Sequence, residues 1–129
     1  KNGDGFKIIV SSYQDEQRKR FAIAQELGHL FLHMGYKTNA EIWEKQADKV
    51  PFQEKDPEKV RQANEFAAAL LMPRYIFFLT LEAASDIAES GKRTIHMQAV
   101  ADFFNVSLSA AYTRAKILGL SERAYYEMS

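Results

Sequence analysis

Apolar residues recur at helical spacing in the first third of the chain, between Ser12 and Gly35. They define one face that we expect to be buried: Ile23, Leu27, Leu30, Phe31 and Met34. Such a repeat predicts an amphipathic helix. Ser12 followed by Asp15 fits the capping box that begins a helix, and Gly35 is a typical residue to end one.

A second apolar stripe follows a polar segment of the chain. Asp56-Pro57 is a typical helix start, and Pro73 ends or kinks the helix. Its stripe is Val60, Ala63, Phe66, Ala67, Leu70 and Leu71. Residues 74–89 predict a further helix that stops near Gly91. The polar segment, residues 36–56, resembles an insertion or a lid, with a short surface helix predicted over residues 40–49.

Residues 95–104 and 108–118 predict a helix pair joined by a short turn, in which Ser107 can cap the second helix. The region 95–120 has the pattern of a helix-turn-helix. DNA binding by such a pair needs exposed basic and amide groups. Arg114 and Lys116 are the basic residues of the second helix. We therefore expect a packing pair, with a DNA-binding regulator as the alternative.

The one strand that the pattern predicts is the apolar, β-branched run over residues 6–10, FKIIV. A strand needs a partner, so we expect a small sheet that contains these residues. The predicted fold class is α+β, mostly helical. Tyr75, Phe77, Phe78 and Leu79 form a cluster that we expect in the core, with a groove for a substrate peptide as the alternative. Tyr125 and Tyr126 are expected in packing or in the tail.

Composition sets the broad class of protein. The 129 residues suit one domain, residues 1–129. Lys plus Arg equals Asp plus Glu at 17 each, so no overall field attracts nucleic acid or an anionic membrane. The absence of cysteine excludes disulfides and thiolate metal sites, and no apolar run is long enough to span a membrane. We expect a cytoplasmic protein whose natural N-terminal segment, before Lys1, is missing.

The candidate chemistry lies on the first predicted helix. A zinc-peptidase helix carries His-Glu-x-x-His, which places two imidazoles on one face and a general base beside them. Glu26 and His29 occupy the second and last positions of that motif, and Gln25 the first. Gln25, His29 and His33 share one stripe. A Glu-x-x-His tetrad also arises by chance, and a lone histidine is often structural, so the tetrad alone leaves both interpretations open.

Three segments together resemble one family. The active-site helix of ImmA/IrrE-type metallopeptidases resembles residues 21–33, FAIAQELGHLFLH. The second signature of that family resembles residues 63–73, ANEFAAALLMP. Its C-terminal helical segment resembles residues 104–120, which begin FNVS and end LGL. The resemblance covers most of the chain, from Phe6 to Leu120.

The resemblance implies a zinc-dependent peptidase of the kind that acts on repressors of mobile elements or stress genes. It places the zinc ligands at positions 25, 29 and 62 and makes Glu26 the general base. The chain departs from that pattern, because Gln25 and Gln62 stand where a histidine and an acidic residue are expected. A neutral amide is a poor zinc ligand. Such amides could instead bond to each other or to His29.

Two hypotheses about the site follow. The first is a protein with impaired or lost zinc catalysis that binds a protein partner, such as a transcriptional repressor, without cleaving it. The second is an active zinc endopeptidase with a rearranged site, in which His33 and Glu65 substitute for the missing ligands beside His29.

Overall fold

The structure is a computed structural model that describes residues 1–120 and 127–128. Its chain divides into an N-terminal unit, Lys1–Ala67, and a C-terminal unit, Ala68–Ser129. Helices predominate and one small sheet is present, which confirms the α+β class. The prediction of one domain stays a prediction. Tyr125 and Tyr126 lie outside the described residues.

Helix α1 spans Glu16–Leu32. The prediction that Ser12 begins it is wrong, because the carboxylate of Asp15 accepts the backbone N–H of Arg18 at 2.8 Å and caps the first turn. The stop at Gly35 is confirmed. Its φ is +81°, and a Cβ there would lie 2.5 Å from the carbonyl oxygen of Asn39, so only glycine fits this turn.

The predicted buried face is confirmed except at Ile23. Leu30 and Met34 are buried and Leu27 and Phe31 are half-buried, whereas Ile23 is 37% exposed. The most buried positions on the helix include two small residues, Ala24 and Gly28. The reason is close packing against a second helix, which favours small side chains over large apolar ones at the line of contact.

That second helix is α3, Pro57–Leu71. Asp56 accepts the backbone N–H of Glu58 at 3.0 Å, as the predicted cap requires. A Cβ added at Gly28 would lie 3.1 Å from the Cα of Ala63 and 3.2 Å from the Cβ of Phe66. The backbones of α1 and α3 therefore approach closely in the N-terminal unit, and this approach positions the candidate site.

Helix α2, Ala40–Glu44, follows α1 and precedes α3 in the sequence, and Asn39 caps it by accepting the backbone N–H of Ile42 at 3.2 Å. The predicted surface helix over residues 40–49 is confirmed in its first half. The Trp43 ring packs edge-on against Tyr36, with ring centroids 5.0 Å apart, so this residue anchors the otherwise polar segment.

The predicted strand over residues 6–10 is wrong. These residues form no strand, and the pairing nearest to them is an isolated bridge between Asn2 and Gly5. The sheet is built from β1, Ser85–Ile87, antiparallel to β2, Arg93–Ile95, with β3, Glu127–Met128, parallel to β2. β-branched residues favour a strand only where a partner is available, and residues 6–10 have none among the described segments.

Helix α4 spans Arg74–Ala83, shorter than the predicted 74–89, because residues 85–87 pair with β2. Helix α5, Met97–Phe104, and helix α6, Leu108–Ile117, confirm the C-terminal pair, and Ser107 caps α6 by accepting the N–H of Ala110 at 3.0 Å. Their buried side chains form one core: Phe77, Leu81, Met97, Val100, Phe104 and Ala111.

The aromatic cluster after Pro73 reaches that core through Phe77 alone. Phe77 is fully buried and its ring stacks on Phe104 at 5.7 Å, whereas Tyr75 is 75% exposed. The expectation of a buried cluster is therefore right for Phe77 and wrong for Tyr75 and Leu79, which is 52% exposed. Within residues 1–120 and 127–128, no single helix is long and apolar enough to cross a membrane; α3 and α4 pass that test only when taken together.

Candidate metal centre

Three polar side chains share one side of α1 and form what we call the polar stripe: Gln25, His29 and His33. Successive members are four residues apart, so each lies one turn beyond the last. The close approach of α3 brings Gln62 and Asn64 to this stripe. The predicted convergence of side chains from two helices is present in the N-terminal unit.

The two glutamines at expected ligand positions are already engaged with other side chains. The amide nitrogen of Gln25 donates to the side-chain oxygen of Asn64. The amide oxygen of Gln62 lies 2.8 Å from Nε2 of His33. They do not bond to each other or to His29 in this arrangement. Each amide therefore already has a side-chain partner, although Gln25 is only half-buried and Gln62 is exposed.

The histidines of the stripe also contact each other, with their Nδ1 atoms 2.8 Å apart. Because the Gln62 oxygen can only accept, Nε2–H of His33 donates to it. Nδ1 of a neutral His33 then carries a lone pair and accepts from Nδ1–H of His29. Nε2 of His29 is left with a lone pair of its own. Gln62 thus fixes the tautomers of both rings.

His29 is the buried member of this pair, with 8% of its surface exposed, and its ring lies 5.4 Å from that of Phe52. Burial lowers the pKa of His29, nearby His33 lowers it further, and Glu54 opposes the shift. A lowered pKa keeps the imidazole neutral, which is the form that binds metals.

Glu54 is a site residue that the sequence did not predict. One ligand atom each from His29, His33 and Glu54 lie within 4.8 Å of one another. The Oε1 atom of Glu54 accepts the backbone N–H groups of Lys55 and Asp56 at 3.1 and 3.0 Å. Chiefly the Asp56 bond lowers the pKa of Glu54. No periodicity marks this residue, because it lies in an irregular segment.

Glu65, the predicted substitute ligand, points to a different partner. It forms an ion pair with Arg61, the residue one turn earlier on α3, and its side chain is 47% exposed. The cluster that the described residues bring together around His29 and His33 includes Glu54 rather than Glu65.

Glu26, the predicted general base, lines a cavity of about 460 Å³ next to the stripe. Leu30 on α1 and Met34, just beyond its end, continue the same wall. The opposite walls are residues 6–9 and 49–52. Although Glu26 keeps contact with solvent, partial desolvation by these walls raises the pKa of its carboxyl.

A family model described as the IrrE N-terminal-like domain matches residues 5–116. The chain belongs to this family. Neither a curated protein nor a solved structure matches it. The membership agrees with the resemblance carried by the two signatures, residues 21–33 and 63–73.

The resemblance implies a zinc ion in this IrrE N-terminal-like domain, at positions 25, 29 and 62. A catalytic zinc needs three protein ligands drawn from imidazole and carboxylate groups. Positions 25, 29 and 62 supply one imidazole and two amides, and both amides are held by hydrogen bonds to protein. This set does not fit zinc.

The C-terminal helix pair carries the two basic residues, Arg114 and Lys116, that the DNA-binding alternative would need to be exposed. Arg114 on α6 is 7% exposed and its Nε donates to the carbonyl oxygen of Met72 at 3.0 Å. Burial lowers the pKa of this guanidinium. Arg114 therefore holds the core together, and Lys116 is the exposed cation of α6.

Proposed function

We propose that this IrrE N-terminal-like domain binds a segment of a protein partner, such as a transcriptional repressor, without the zinc-dependent cleavage that its family resemblance implies. One observation carries the proposal: the side chains at positions 25 and 62 are amides, and each is already bonded to a protein group. The inherited ligand set is replaced by a hydrogen-bonded set.

The chemistry of that set opposes metal binding at the inherited positions. For Gln25 to turn toward a metal it would have to leave Asn64, which costs about 0.5–1.5 kcal/mol, for a bond that is weaker than one from imidazole. Glu26 is retained, but peptide hydrolysis by this type of site also needs a Lewis acid on the scissile carbonyl. Glu26 alone does not supply one.

The cavity beside α1 supports binding of an extended peptide. Its lining is mostly apolar and includes Ile8, Leu30 and Phe52. Residues 6–10 belong to no strand, so their backbone groups can pair with an added chain. Lys7 and Lys49 at the cavity favour a peptide with acidic flanks.

A cleavage assay tests the catalytic half of the proposal. Fluorescein-labelled casein with added zinc is treated with the wild-type chain, with Glu26→Gln, and with the double variant Gln25→His/Gln62→Glu. We expect the wild type and Glu26→Gln to be equally inactive. The double variant should gain hydrolysis that chelators remove and that a further Glu26→Gln change abolishes.

Wild-type cleavage that depends on Glu26 would contradict the proposal. It would support the second candidate, an active zinc endopeptidase with a rearranged site, which one observation favours: Glu26, the general base of the motif, is retained and lines the cavity. The same assay therefore decides between the two functions.

A binding assay tests the other half. The probe is a labelled extended peptide with an apolar centre and acidic flanks, followed by fluorescence anisotropy. Ile8→Asp should weaken binding about tenfold or more, because loss of one buried aliphatic contact costs roughly 1.5 kcal/mol. Tyr13→Asp is the matched control, since Tyr13 is 98% exposed and lies outside the cavity. Equal affinities for both variants would reject the cavity as the binding site.

A further inference from the structure

We propose that His29, His33 and Glu54 form a binding site for a divalent transition metal, one helical turn beyond the inherited zinc position, that holds a metal without supplying peptidase chemistry. The site goes beyond the proposed function, and neither the family nor the sequence motif assigns it. It uses one inherited ligand position, that of His29, with two new side chains.

The spacing on α1 suits a metal. His29 and His33 are four residues apart, the separation that places two imidazoles on one helix face for chelation. Their Nδ1 atoms are 2.8 Å apart, and one ligand atom from each of the three residues falls within 4.8 Å of the others. Zinc bonds of about 2.0–2.2 Å put tetrahedral ligand atoms roughly 3.4 Å apart. Small side-chain adjustments suffice.

Neighbouring groups orient the three ligands before any metal arrives. Gln62 accepts from Nε2–H of His33, which leaves the lone pair of His33 on Nδ1, toward His29. Backbone N–H groups hold Glu54 through Oε1, so neither of them engages Oε2. Hydrogen bonds that fix ligand orientation in this way typically raise metal affinity 10- to 100-fold.

A hydrogen bond joins the two imidazoles in the metal-free protein. Nδ1–H of His29 donates to Nδ1 of His33. When a metal bonds to both rings it takes the place of that proton, which moves through water to Nε2 of His29, so both rings stay neutral. The His–His contact is therefore a position that either a proton or a metal ion can occupy.

The His29–His33 pair lacks the general base of a peptidase. In His-Glu-x-x-His the base directly follows the first histidine. The residue after His29 is Leu30, which is buried. A metal at this site therefore has a structural role. It links α1 to Glu54, two residues beyond Phe52 on the cavity wall, and so fixes the segment that lines the cavity.

Cobalt(II) binding to the full chain tests this site. Equilibrium dialysis against CoCl₂, with metal analysis and visible absorption, should give about one ion per chain with the intense bands of tetrahedral cobalt. His33→Asn and Glu54→Gln should each weaken binding at least about tenfold. Cobalt should also raise the melting temperature of the wild type, and EDTA should reverse that rise.

Two matched controls use residues of the same type outside the cluster. His96→Asn removes the remaining histidine of the chain, and Glu65→Gln removes the carboxylate paired with Arg61. Both should bind cobalt as the wild type does, and far-UV circular dichroism confirms that every variant is folded. Wild-type affinity in His33→Asn, or loss of binding in His96→Asn, would overturn the proposal.

Gln62→Leu separates this site from the inherited one. Removing the amide leaves Nε2–H of His33 without its acceptor, so cobalt affinity should fall while the stoichiometry stays near one. Gln25→Leu should leave the cobalt affinity unchanged, because Gln25 bonds to Asn64 and not to the cluster. An effect of Gln25→Leu larger than that of Gln62→Leu would place the metal at the inherited position. The casein assay is independent of each of these outcomes.

Discussion

Single side chains in the N-terminal unit are held by specific partners, and the partners explain their identity. Gln62 offers one oxygen to His33, and the tautomers of two rings follow from that bond. The side-chain oxygen of Asn64 likewise accepts a hydrogen bond from the amide nitrogen of Gln25. A signature asparagine, which the sequence marks only as part of a family motif, thus has a physical role in this chain.

Asn64→Ala should destabilise the protein by about 1–2 kcal/mol, because it leaves the partly buried Gln25 amide without its acceptor. Urea unfolding followed by circular dichroism measures the change. The double variant Asn64→Ala/Gln25→Ala should cost less than the sum of the single changes, since the orphaned amide is then also removed. Full additivity of the two variants would argue against the bond.

A substitution at Arg114 tests the contribution of one side-chain bond to stability in the C-terminal unit. Arg114→Ala should lower stability by about 2–3 kcal/mol, because the Met72 carbonyl loses its charged donor and a cavity opens in the core. Lys116→Ala, on an exposed position of the same helix, is the control and should leave the urea midpoint unchanged. Equal effects of the two substitutions would mean that Arg114 has no special structural role.

Helices in this protein were predictable because their determinants are local. Asp56 with Pro57, Ser107 and Gly35 each mark a helix end through contacts within a few residues. The strands were not predictable in this way, because a strand forms only where another segment is placed to pair with it. Residues 6–10 have strand composition but no partner strand in the part of the chain that the structure describes, while residues 85–87 lack a strong strand pattern and pair with Arg93–Ile95.

The contact between α1 and α3 depends on one glycine. Gly28→Ala should destabilise the protein, because overpacking against backbone atoms of Ala63 costs roughly 1–3 kcal/mol. That exceeds the gain in helix propensity of up to about 1 kcal/mol. The urea midpoint measures the effect, and Leu32→Ala, at a position 52% exposed on the same helix, is the control. A higher midpoint for Gly28→Ala would show that α3 can move aside.

At the scale of the whole molecule, composition excluded more than it identified. The lack of cysteine excluded disulfides and thiolate metal sites, and the balanced charge gave no overall field that points to nucleic acid or an anionic membrane. The family followed from the order of its signatures. The three ligands of the proposed metal site could not be assembled from the sequence, because Glu54 reaches His29 from an irregular segment 25 residues away, counting from 29 to 54. Only the folded chain brings them together.

Charge balance also predicts a property of the chain in solution. With 17 basic and 17 acidic residues the net charge is zero at pH 7, and proteins near zero charge associate most readily. Solubility should therefore be lowest close to pH 7 and rise at pH 5.5 and 8.5. Precipitation by polyethylene glycol at the three pH values measures this, with folding checked at each. A monotonic trend across that range would contradict the expectation.

Leu30 lies between two histidines that already have the separation of a zinc-peptidase motif. Leu30→Glu would make residues 29–33 read HEFLH, which restores the complete motif one turn further along the same helix. A hydrolase and a binding protein would then differ on α1 by one amino acid. If catalysis at the inherited positions is lost, as we propose, a short evolutionary route to a second site remains.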